Sequence, residues 1–307
     1  MEQTKDPVSV KDFSSAVEIA PAMPVSQHQK KTPAIYLKEI GDLVLKQLKN
    51  GTSPFLPNKD GFVDLQPAYN IKNNGIRNGL EQIALLAKQK ELGVSENGFV
   101  TFESLKKAQD AGIECKIMKE SHGITIPVLD KEGNLVYKET WFNLCQIENS
   151  QALVDFYKKE MTETYEKNVA YNKEKYGDKA YEQKNPAEKS MQNENKPRLL
   201  NEKTNNAAQY LAQVLGAVEY GSKLAVNPEQ AELFKEKAVA ALEVEKEPGK
   251  VNFYNIKNLS EKAQYIYVKN HPFKKQQVEH NVEKAKNITA SKEKKQQRKE
   301  PSYERSM

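Results

Sequence analysis

The apolar residues of this chain change their spacing once, at Gly112, and that change limits the fold more than any other feature. Before it they recur every three or four residues, the period of a helix with one buried face. After it they fall in short β-prone runs broken by turns. Thr32 and Pro33 supply an N-cap and a first-turn proline, Leu37, Ile40, Val44 and Leu48 follow at helical spacing, and Gly51 lies past the end. A second helix is expected over 74–92, with Ile76, Leu80, Ile83, Ala84 and Ala87 on one face and Gly93 as its terminator. A third, shorter one is signalled by Thr101 as N-cap, Glu103 in the first turn and Gly112 beyond the last.

Strands are expected over 113–118, 124–129, 135–141 and 142–147, joined in part by the glycine-bearing turns KESHG and DKEGN. Residues 32–149 therefore read as one α+β domain, N-terminal helices packed on a small antiparallel sheet. Between the first two helices, GTSPFLPNKDGFVDLQPAYN reads as a long structured loop.

The rest of the chain is expected to be mostly helical and partly disordered. Residues 1–31 read as a disordered arm and 150–203 as a helix followed by a charged linker. Residues 204–270 form a small helical region, with helices over 205–220, 228–242 and near 260–269, and 271–307 is a basic disordered tail. Charge follows the same division. Residues 34–150 carry 14 basic and 15 acidic side chains, whereas 274–307 carry 10 and 5, so the tail alone matches the formal charge of +5. Net charge therefore gives the folded part no character as a polyanion binder.

Several function classes lack their residues. No apolar run approaches about 18 residues, which excludes a membrane span, and the first residues lack the basic-then-apolar order of a secretory signal. Two cysteines, Cys115 and Cys145, fit a reducing cytoplasm and read as small buried apolar side chains. His28, His122, His271 and His280 form no HExxH, and His280 with Glu283 reads as a solvated pair, not a metal site. Phosphate loops, dinucleotide fingerprints and nucleophile elbows are absent. Cys115 near His122 reads as a buried thiol beside a turn histidine. The expectation is a non-enzymatic protein without cofactor.

Three segments resemble one family. GTSPF at 51–55 is similar to the GTxPW that follows the first helix of ArdC-like antirestriction proteins and TraC-type plasmid primases. FVTFESLKKAQDAGIECKIMKESHGITIPVL, at 99–129, resembles their LTYxQAxxLGGxVRKGEKGxxVV segment through Thr101, an aromatic, Leu105, Gly112, Lys116, Lys119 and Gly123. WFNLCQIEN, at 141–149, resembles FNxxQ through Phe142, Asn143 and Gln146. The resemblance covers about 34–148 and implies a single-stranded-DNA-binding domain of a plasmid or other mobile element. The family's YxGxN falls on Arg77 to Glu81 with only Gly79 kept, Phe55 replaces the tryptophan, and the metalloprotease motif that often follows is absent.

Single-strand binding needs aromatic faces for bases and cations for phosphates. Phe55 and Tyr69, in the long loop, are the candidate stacking rings, whereas Phe102 and Phe142 sit inside regular elements and read as core. Lys72, Arg77, Lys106, Lys107, Lys116 and Lys119 are the candidate phosphate contacts, with His122 beside them and the N-terminus of the Thr101 helix as an anion site. Asn70, Asn73, Asn74 and Gln82 are candidates for sugar and base edges. The expected partner is single-stranded DNA in conjugation or antirestriction, with the C-terminal helices docking a protein. The alternative is an interaction adaptor that keeps the fold and has lost DNA binding. A zinc protease would need ligands the sequence does not offer.

Overall fold

The computed structural model of the protein describes residues 32–77, 79–130, 134–176, 198–201, 203–243 and 255–270. The expected N-terminal arm and basic tail lie outside these residues, as does most of the expected linker. The fold is α+β. In chain order, α1 (Pro33–Lys49) is followed by β1 (Phe62–Val63), β2 (Tyr69–Asn70), β3 (Gly75–Ile76) and α2 (Leu80–Leu92). Then come β4 (Gly98–Thr101), α3 (Phe102–Asp110), β5 (Lys116–Ile117), β6 (Ile124–Leu129), β7 (Leu135–Asn143) and β8 (Ile147–Glu148). The remainder is α4 (Ser150–Tyr176), β9 (Arg198–Leu199), α5 (Ala207–Glu219), β10 (Leu224–Ala225), α6 (Pro228–Glu243) and α7 (Asn255–Asn270).

The main sheet has the order β3-β2-β4-β7-β6, mostly antiparallel, with β2 and β4 parallel. Strand alternation sends Phe99 and Trp141 to one face and Val100 and Phe142 to the other. The first face packs on α1, α2 and α5–α7, the second on α3, α4 and the β5–β8 ribbon. Both faces are covered, which is why β4 is buried at all four positions.

Residues 204–270 do not stand apart from the N-terminal domain. Tyr210, Leu211, Val214, Phe234, Ile256, Leu259 and Tyr267 lie in one core with Leu37, Ile40, Val44, Leu48 and Phe55. The long loop takes part in the same union: β1 pairs antiparallel with β10, which pairs in parallel with β9. Helix α1, expected to pack on the sheet, is also covered by α6 and α7, and an ion pair joins Lys49 to Glu243.

Three local expectations are corrected. Helix α2 starts at Leu80, not near residue 74, because Asn74 and Gly79 take positive φ (50° and 59°) and Gly75–Ile76 pairs with β2. The two strands expected over 135–147 are one, β7, followed by a 3₁₀ turn at Leu144–Gln146. Helix α4 runs 27 residues, well into the stretch expected as linker. Its Lys, Glu and Ala content favours helix locally, although beyond Met161 none of its described side chains is buried.

Candidate nucleic-acid interface

Much of the family-like sequence holds the fold together. Asn143 and Gln146 form a capping box: Asn143 Oδ1 accepts from the Cys145 N–H (3.0 Å), and Gln146 Oε1 accepts from the Asn143 N–H (3.0 Å). Their amides reach outward, Asn143 Nδ2 donating to the Glu96 carbonyl (2.7 Å) and Gln146 Nε2 to that of His122 (3.1 Å). Gly123 lies against β7 so closely that a Cβ there would come within 2.6 Å of the Trp141 carbonyl oxygen. A buried bend thus needs an amide, an amide and a glycine at these spacings whatever the protein binds.

Five of the twelve candidate residues have interior or structural roles. Phe55 is 1% exposed, and its carbonyl accepts from Tyr210 Oη at 2.9 Å, so its ring offers no face to a base. Asn70 is buried and its Oδ1 accepts from the Lys72 N–H (3.0 Å), forming the turn after β2. Gln82 is buried, and with its amide oriented to satisfy both atoms it donates to the Arg77 and Ala68 carbonyls and accepts from the Ala68 N–H. Thr101 caps α3, accepting from the Ser104 N–H at 3.1 Å. Arg77 lies 4.8 Å from the Trp141 ring centroid and within 3.6 Å of Glu81 and 3.9 Å of Glu139. Its half-buried charge faces the fold's own carboxylates and ring.

That cluster has a pH signature. Burial pushes the Glu81 carboxyl above the ordinary carboxylate range; Arg77 pulls it back and Glu139 adds to the rise. The folded state therefore holds this proton more tightly than the unfolded chain. Its contribution is most favourable below the unfolded value and is lost as pH rises through the folded one. Glu81→Gln is expected to flatten the fall in stability above pH 4.5, the ordinary value for the group, as read from thermal melts over a pH series. A steeper fall than in the parent protein would contradict this account.

The other seven reach the surface. Lys72, Lys106, Lys107, Lys116, Lys119 and His122 are exposed, and Tyr69 is half-buried, its hydroxyl pKa raised by burial and by Glu96. Lys116 Nζ pairs with Glu148 (3.1 Å), and Lys107 Nζ meets both carboxylate oxygens of Glu160 at 2.7 and 2.8 Å. Two further expectations reverse. Phe102, read as core, is 54% exposed at the start of α3, and Cys145, read as buried, is exposed. Phe142 and Cys115 are buried as expected.

The structure brings Lys72 and Lys107 together. They line an open groove of about 490 Å³ between the β2–β3 turn, α3 and the outer half of α4, which adds Lys167, Tyr165 and Asn168. The sequence reading missed the α4 wall. Its signal was present: Met161, Tyr165 and Val169 recur at every fourth residue, and all three line the groove. Two further grooves, of about 670 and 620 Å³, flank Tyr265 and Ile266 of α7, and Tyr265 is 68% exposed between them. Among the described residues no group of three or more His, Cys, Asp or Glu side chains is placed to hold a metal ion, and no helix is long and apolar enough to cross a membrane.

No protein-family model, curated protein or solved structure matches the chain.

Proposed function

We propose that the protein binds single-stranded DNA without catalysis, for a plasmid or other mobile element, in conjugation or antirestriction. The observation that carries this reading is the groove. It gathers Lys72 and Lys107 from separate elements beside Lys167, Tyr165 and three asparagines, which together offer cations for phosphates, a ring and amide groups. Lys106, Lys116, Lys119 and His122 add exposed cationic or hydrogen-bonding groups around the same α3–β5 region. The resemblance of the three sequence segments supports the choice of ligand.

A labelled oligo(dT) titrated with the full chain tests it. Binding is expected to be tighter than to duplex at low salt and to fall steeply as salt rises. Replacing Lys72, Lys116 and Lys119 together with glutamine is expected to lower the slope of log K against log salt by about 2, at roughly 0.7 per contact. An unchanged slope would mean that these three lysines make no phosphate contact and would overturn this interface.

A second reading is an adaptor. It draws support from the structural roles of Phe55 and Arg77 and from the exposed Tyr265 between two grooves on the C-terminal helices. An oligonucleotide titration with no salt-sensitive binding would favour it.

A further inference from the structure

We infer that Glu160 is a resident competitor for DNA phosphate on Lys107, so that the groove is partly self-neutralised until a nucleic-acid strand displaces the carboxylate. This rests on the single-strand reading above and adds a mechanism to it. Lys107 Nζ sits 2.7 and 2.8 Å from the two oxygens of Glu160. That is the contact two non-bridging phosphate oxygens would make with the same ammonium group. The pair joins α3 to α4 across 53 residues of chain, on the wall of the groove that also holds Lys72.

Its setting makes the pair replaceable. The side chains are 52% and 35% exposed, so water and salt screen the attraction, and a strand with several phosphates can exchange one carboxylate at small cost. The lysine is also held in place while it waits, its Nζ 6.0 Å from the Tyr157 ring centroid. Tyr157 is itself fixed, fully buried and donating to the Ser104 carbonyl at 2.7 Å. Glu160 therefore orients Lys107 into the groove and sets how much of its charge an incoming strand meets. Glu163 lies one turn further along the same wall and is not within ion-pair distance of Lys107.

The test compares the full-length parent protein with Glu160→Gln, Lys107→Gln, the double variant and Glu163→Gln, each titrated with labelled oligo(dT) at several salt concentrations. Glu160→Gln is expected to tighten binding about 2- to 5-fold, because the strand no longer has to displace a carboxylate from Lys107. In the Lys107→Gln background the same change is expected to leave affinity unchanged. Equal gains from Glu160→Gln with and without Lys107, or an equal gain from Glu163→Gln, would show only a general negative field and overturn the competitor role. Parent and Glu160→Gln proteins that bind alike would also overturn it while leaving the single-strand reading intact. A parent protein that does not bind would remove both.

Discussion

Ending the chain at Tyr176 is expected to abolish cooperative folding of the segment before it. The lost helices supply Tyr210, Leu211, Val214, Leu215, Val218, Phe234, Leu259 and Tyr267 to the core that buries α1, α2 and Phe55. Burying a large apolar side chain contributes about 1.5–3 kcal/mol, and whole domains are stable by about 5–15 kcal/mol. Losing the partners of even five such residues removes about 7.5–15 kcal/mol, comparable to the whole margin. β1 would lose its only strand partner among the described residues, since its backbone pairs with β10. Far-ultraviolet circular dichroism on a 32–176 fragment is expected to show a broad, non-cooperative melt. A sharp transition would mean that the sheet and α1–α4 fold independently, against the shared core described above.

The second large effect is expected at Tyr210. Its ring stacks on Phe234 with centroids 3.9 Å apart and planes 12° from parallel, and its hydroxyl donates to the Phe55 carbonyl at 2.9 Å. One side chain thus ties α5 to α6 and to the loop after α1. Tyr210→Ala is expected to lower stability by about 3–5 kcal/mol through the cavity it leaves. Tyr210→Phe keeps the stack and orphans the Phe55 carbonyl, at about 1–2 kcal/mol. Urea unfolding separates the two, and a loss below about 1 kcal/mol for the alanine variant would show that the site collapses around the gap.

What could be read in the sequence was what depends on near neighbours. Thr101 announced α3 because an N-cap is a local hydrogen bond, and the alternation over β6 announced a strand because pleating is local. Pairings set by distant residues stayed hidden. Nothing near Phe62–Val63 indicates a partner at Leu224–Ala225, and a two-residue strand has no period to detect. Phe55 looked available for stacking because it lies in a Pro/Gly loop, yet Tyr210, which shares its core and bonds its carbonyl, lies 155 positions away. For the candidate interface, the lysines on α3 and after it could be found by charge and exposure. The α4 wall required noticing that a methionine, a tyrosine and a valine in a polar stretch share one helical face.

The pairing of β1 with β10 also fixes a schedule. The loop after α1 leaves the ribosome long before the strand and helices that seal it, and synthesis proceeds at about 5–20 residues per second. From the end of the main sheet to Tyr267, the apolar face of α1 therefore waits for a time on the order of ten seconds without the cover that α6 and α7 supply. Closure at such long sequence separation is slow on its own account. This chain is consequently expected to complete folding only once synthesis has passed Tyr267, and in the interval it presents Leu37, Ile40, Val44 and Phe55 as the surface that chaperones, or a neighbouring unfinished chain, would meet first.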